Sequence, residues 1–139
     1  MALITGGYAN TDGKRGVGLQ MAHDNYRAAP VADALKAANE RTSVICLIET
    51  AEGAENVDAI AAVKGVDGLW VGHFDLSVSL GIPGEFNHPK FTAAIDRTVA
   101  AAKKHGKFLG RLVPSADAGI AFYKDGFDFI CYSGDIWVL

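Results

Sequence analysis

Four short apolar runs alternate with amphipathic stretches along this chain, and that alternation limits its fold more than any other feature. The runs are "SVICLI" (Ser43–Ile48), "GLWVG" (Gly68–Gly72), "KFLGRLV" (Lys107–Val113) and "FDFICYS" (Phe127–Ser133). Each is brief, continuously apolar and rich in β-branched or aromatic residues, as a strand covered on both faces must be. The stretches between them have helical spacing. Val57, Ile60 and Ala61 mark a helix over Ala51–Val63, and Phe91, Ile95 and Val99 mark one face of a helix over His88–Gly106. Lys103, Lys104 and His105 occupy the last turn of that helix, where the dipole favours cations, and Gly106 stops it. A further helix is expected over Ser115–Gly126, and one over Pro30–Arg41 with Pro30 as its first residue. Strand following helix in this way builds a parallel α/β sheet, either doubly wound or part of a (β/α)8 barrel. A whole barrel takes roughly 250 residues. With 139 residues, this chain would form a piece of one, and no linker divides it, so residues 1–139 read as a single domain.

Half of the residues are hydrophobic and 21% are charged, the balance of a soluble globular domain. The net charge of −3 argues against nucleic acid or an anionic membrane as a partner. No apolar run approaches the roughly 20 residues of a membrane-spanning helix, and the first residues lack the form of a signal peptide. Cys46 and Cys131 each lie inside a strand-like run and read as free buried thiols, which makes the cytoplasm the natural compartment.

In parallel α/β folds the carboxyl ends of the strands carry the chemistry. Here they deliver Glu49; then His73 and Asp75; then Arg111 and Ser115; then Ser133 and Asp135. Glu49 and Asp75 follow consecutive strands, so their side chains could converge at one rim. Two carboxylates make a hard oxygen site for Mg²⁺ or Mn²⁺, or an acid–base pair in which one raises the pKa of the other. The plainer alternative is that each caps the helix that follows it. Gly72 would let a ligand approach the backbone closely, beside the amides of Phe74 and Asp75, which could hold a carboxylate. His73 reads either as a ligand or base or as a packing histidine, with packing the commoner case. His23 lies in a polar loop, on the surface or lining a site, while His88 and His105 flank a helix and read as structural. "GKRGVG" (Gly13–Gly18) is neither a P-loop nor a dinucleotide fingerprint and reads as a mobile loop. Trp70 and Trp137 read as core aromatics.

The stretch "LIETAEGAENVDAIAAVKGVDGLWVGHFDLSVSLG" (Leu47–Gly81) resembles the signature of the HpcH/HpaI aldolases, metal-dependent class II pyruvate aldolases. "GKRGVG", "GKFLGRLVPS" and "GFDFICYSGD" match the family's order, so the resemblance covers residues 13–139 and leaves 1–12 as a divergent lead. It implies a (β/α)8 barrel, of which this chain would supply four to five βα units of the C-terminal half. It also implies cleavage of 4-hydroxy-2-oxo acids into pyruvate and an aldehyde. Glu49 and Asp75 would hold the divalent metal, Mg²⁺ or Mn²⁺ with Co²⁺ a third candidate, and the Phe74 and Asp75 amides would hold the pyruvyl carboxylate beside Gly72. A homo-oligomer is implied as well. Three departures are visible. The family's substrate-contacting Gln is Leu47, and its Pro and small residue before the Asp are His73 and Phe74. The chain is about half the family's length, and residues 1–12 offer no match for the family's histidine base or enolate-stabilising arginine. A truncated metal- and oxo-acid-binding or assembly protein is therefore the alternative, and a citrate-lyase-β or malyl-CoA-lyase type of lyase a third. A half-barrel with open edges should associate.

Overall fold

The computed structural model describes the backbone of residues 17–138 and the side chains of residues 17–136. Residues 1–12, most of "GKRGVG" and the Trp137 side chain lie outside that range. One compact unit ends at Ser43 and a second begins at Val44. In the first, a 3-10 turn over Ala22–Asp24 precedes helix α1 (Val31–Arg41). Pro30 caps this helix instead of starting it. Arg41 donates to the Asp24 carboxylate at 3.0 Å, and the His23 ring lies 3.1 Å from the Gly18 carbonyl.

The second unit runs β1 (Ile45–Ile48), α2 (Ala51–Glu55), α3 (Val57–Ala61), β2 (Gly68–Val71), α4 (His73–Ser79), α5 (Pro89–His105), β3 (Phe108–Val113), α6 (Ala116–Lys124), β4 (Phe129–Tyr132) and α7 (Asp135–Val138). The four strands lie in sequence order and are parallel throughout. That arrangement is an arc of a (β/α)8 barrel. Two aspartates set its start. The Asp67 carboxylate accepts from the Val44 amide at 2.7 Å, and the Asp128 carboxylate accepts from the Leu109 amide at 2.8 Å. Each immediately precedes or leads into a strand and ties it to the one before.

The two faces of the sheet differ. Ile48, Leu69, Val71, Leu109 and Val113 are buried against the helices. The opposite face carries Ile45, Leu47, Trp70, Phe108, Phe129 and Cys131, by the register of the pairs. Its aromatics need flat neighbours: a Cβ on Gly68 would meet the Phe108 ring at 2.0 Å, and one on Gly110 would meet the Phe129 ring at 2.3 Å. Trp70 stacks at a tilt on Phe129, with centroids 5.1 Å apart. This face is not covered as the apolar runs predict. Ile45 is 45% and Leu47 50% exposed, and Cys131 is exposed; on the helix side Cys46 is only half-buried, so neither thiol is the fully buried one expected.

Two helices also depart from expectation. The helix expected over Ala51–Val63 breaks at Asn56, whose backbone amide and side-chain amide both donate to the Glu52 carbonyl, at 3.0 and 2.9 Å. In α5 the buried residues are Phe91, Ala94, Thr98, Ala101 and Ala102, while Ile95 and Val99 flank them. Alanines let the helix lie close to the sheet. Thr98 can be buried because its hydroxyl donates to the Ala94 carbonyl at 2.8 Å.

Candidate functional site

Glu49 follows β1 directly, and Gly72 follows β2. The Gly72 amide donates to the Ile48 carbonyl at 3.1 Å, which continues the ladder one step beyond the strands. The two residues then meet: a Cβ on Gly72 would lie 2.8 Å from Glu49 Cβ, 3.3 Å from Glu49 Oε2 and 3.3 Å from Leu47 Cδ1. Only glycine allows that approach. Alternation along β1 puts Leu47 and Glu49 on the open face, at its carboxyl rim.

Asp75 is the third residue of α4, which Gly72 caps without a side-chain bond. It is exposed, and Glu49 is half-buried. Helix capping, the plainer use of both carboxylates, does not occur. Thr50 caps α2 by accepting from the Gly53 amide at 2.9 Å, and Ser79 Oγ accepts from the Ala51 amide at 2.9 Å. Neither Glu49 nor Asp75 makes a hydrogen bond or ion pair among the described residues. The amides of His73, Phe74 and Asp75 open the helix and have no intrahelical acceptor, because the first bond back is Leu76 to Gly72 at 2.9 Å. Two uncommitted carboxylates thus stand at adjacent strand ends with backbone donors beside them.

The arrangement fits a hard divalent ion of the Mg²⁺ type, which uses one or two carboxylates and fills its remaining positions with water and substrate oxygens. No cluster of three or more His, Cys, Asp or Glu side chains able to hold a metal forms among the described residues. Leu47 is exposed at the same rim and offers no hydrogen bond.

His73 packs. Its ring lies 4.4 Å from Phe74 and 5.3 Å edge-on from Phe86, centroid to centroid, and Phe86 continues the chain to Phe91 at 5.4 Å. Burial lowers its pKa, the Arg111 charge lowers it further, and Asp75 opposes them. The remaining strand-end residues do not join the carboxylates. Ser115 caps α6 by accepting from the Ala118 amide at 3.2 Å, and Asp135 accepts from the Ile136 amide at 2.8 Å. Ser133 turns the chain in the left-handed region, φ 54°. His88 Nδ1 accepts from the Lys90 amide at 3.1 Å, and His105 lies 3.0 Å from Asp58, so both have the structural roles expected. Arg111 is on the helix side of the sheet, its Cζ 3.8 Å above the Phe122 ring of α6. Its alternation with Gly110 and Leu112 in β3 was the available signal for that placement.

A model of the HpcH/HpaI aldolase/citrate lyase family matches residues 9–136. A 5-keto-4-deoxy-D-glucarate aldolase of Klebsiella pneumoniae subsp. pneumoniae is 37% identical over 121 residues, 87% of this chain and 47% of that protein. The crystal structure of an HpcH/HpaI aldolase/citrate lyase family protein from Burkholderia cenocepacia superposes with a TM-score of 0.82 at 35% identity, over 91% of this chain and 49% of the other. A citrate synthase superposes with a TM-score of 0.75 at 26% identity, over 97% and 51%. The chain therefore spans about half the length of the curated relatives it matches.

Proposed function

This chain belongs to the HpcH/HpaI aldolase/citrate lyase family, and from that premise we propose that it serves in carbon–carbon bond cleavage of 4-hydroxy-2-oxo acids to pyruvate and an aldehyde. The observation that carries the reading is the pair of uncommitted carboxylates, Glu49 and Asp75, at neighbouring strand ends. They are the residues that would hold Mg²⁺ or Mn²⁺. When bound, such an ion polarises the keto oxygen of a pyruvyl unit and acidifies the C3 protons. The exposed amides of Phe74 and Asp75 would orient the pyruvyl carboxylate, and Gly72 gives it room. The 5-keto-4-deoxy-D-glucarate aldolase relative supports an acidic, sugar-derived substrate. The family match runs through Ser43 and supports reading residues 13–139 as one family domain. A cytoplasmic homo-oligomer is the setting we propose, since the sheet leaves an apolar face open. No described helix is long and apolar enough to cross a membrane.

A second reading, a binding protein that needs its proton-transfer groups from elsewhere, is favoured by one observation. His73 is committed to aromatic packing and Arg111 lies on the far face of the sheet, so neither stands at the rim as a base or an enolate stabiliser. One experiment separates the readings. Mn²⁺ binding is followed by electron paramagnetic resonance, and exchange of pyruvate methyl protons in D₂O by NMR. Exchange that depends on Mn²⁺ and vanishes in Asp75→Ala supports the lyase. Mn²⁺ binding lost in Glu49→Ala and Asp75→Ala, with no exchange in the unmodified chain, supports the binding protein. Mn²⁺ affinity untouched by both substitutions overturns the site.

A further inference from the structure

On the helix side of the sheet, between α5 and α6, lies a cleft of about 730 Å³. That is the size range of small-molecule sites, roughly 300–1,000 Å³. Its walls are aromatic, with Phe74, Phe86, Phe91, Phe122 and Tyr132 among them, and Ile95 turns toward it from the flank of α5. One charged group is buried in this wall. Arg111 is 6% exposed, and its Nε has no hydrogen-bond partner among the described residues. No ion pair among the described residues reaches the guanidinium either. Asp96 also lines the cleft, but it is exposed and does not pair with Arg111.

A buried guanidinium without an anion is costly. The Phe122 face at 3.8 Å offsets part of that cost and fixes the plane of the fork. Burial lowers the Arg111 pKa to about 10, which leaves it cationic at neutral pH.

We propose that this cleft binds a small organic anion with an apolar body, its carboxylate or phosphate received by Arg111 and its body held by the phenyl rings. A planar fork is suited to a two-oxygen anion, and rings on several sides suit an aryl or branched alkyl group. The site borders the Glu49–Asp75 rim through Phe74, but its anion is received at Arg111 and needs no divalent ion, so its test does not depend on the proposed reaction.

The test is isothermal titration of the whole chain, without divalent metal, with three probes: phenylacetate, its neutral counterpart 2-phenylethanol, and inorganic phosphate. Phenylacetate should bind at least tenfold more tightly than either of the others, and Arg111→Met should erase its advantage over the alcohol. Arg111→Met should also raise the melting temperature of the free protein, because it removes an unpaired buried charge. A second measurement needs no variant: the Arg111 Nε–H resonance should shift with phenylacetate and not with 2-phenylethanol. Equal affinity for acid and alcohol, discrimination that survives in Arg111→Met, or an unmoved Nε–H resonance would each overturn the proposal. If the phenylacetate and phosphate affinities match, the cleft recognises charge alone, and the apolar half of the proposal fails.

Discussion

Gly72 is where one methyl group tests the carboxylate rim. Its φ of −87° suits any residue, so alanine there meets no backbone strain, only the Glu49 Cβ at 2.8 Å. Gly72→Ala should therefore fold, with an overpacking cost of about 1–3 kcal/mol, and should push Glu49 aside. The expected result is about tenfold weaker Mn²⁺ binding, the scale on which displaced supporting groups act, measured beside an unchanged circular dichroism spectrum. Full Mn²⁺ affinity in Gly72→Ala would separate Glu49 from the metal. The places of Glu49 and Asp75 in the fold were legible in the sequence, because Glu49 directly follows one apolar run, Asp75 stands three residues beyond the next, and strand ends are predictable from such runs. Arg111 lies inside the third run, and its placement on the helix side was not read. A single residue of alternation decides which face a strand residue takes, and β3 continues two residues beyond Arg111. His73 was legible as a packing residue but its partners were not, because Phe86 comes from a loop with no periodic pattern.

Two short elements depend on polar contacts that can be removed singly. In α4, the Ser77 hydroxyl is fully buried, donates to the Phe74 carbonyl at 2.7 Å and accepts from the Gly84 amide at 2.9 Å. It fastens the helix that presents Phe74 and Asp75 to the loop that follows. Ser77→Ala leaves the Gly84 amide unpartnered and should cost about 1–3 kcal/mol, seen as a lower urea midpoint with an unchanged slope. Between α3 and α5, Asp58 receives Lys104 at 2.8 Å and stands 3.0 Å from His105. The Lys104 hydrogen bond first, and then His105, lower its pKa below the ordinary 3.8. The unfolded chain thus binds the Asp58 proton at higher pH than the folded one. The contact helps fully above about 3.8 and is lost as the pH falls through the lower folded value. Asp58→Asn should flatten the loss of stability between pH 5 and pH 3, and 1 M salt should shrink the difference, because the group is exposed to solvent. The apolar period announced the helices themselves, but not where they break or which way they turn. The break falls at Asn56, a polar residue whose place in the chain no hydrophobic pattern marks as an end. The inward face of α5 is made of alanines, which carry less hydrophobic signal than Ile95 and Val99 beside them.

The sheet as a whole has one face too many. Parallel order, four strands and the covered helix side followed from the alternation of runs, since a parallel strand needs a crossover and a crossover here is a helix. The uncovered face followed from the half-barrel reading and not from the runs themselves, because a continuously apolar strand says that both sides want cover without saying what supplies it. Ile45 and Leu47 are about half exposed, and the rings of Trp70, Phe108 and Phe129 are only partly covered. Strands β1 and β4 also end the sheet without a further neighbour among the described residues. Contiguous apolar surface of this kind is usually an interface, and open sheet edges add backbone donors and acceptors to it. The chain should therefore associate through this face. Light scattering behind size exclusion should give a mass at least twice that of one chain, falling toward one chain on dilution. Ile45→Lys places a charge at the amino-terminal end of the face, away from the Glu49 rim, and should shift the equilibrium to the monomer without loss of helical signal. Val78→Lys, on the exposed side of α4 at 63% exposure, should leave the mass unchanged. A concentration-independent monomer for the unmodified chain would mean that the open face is tolerated in water and that association, if any, belongs to another surface.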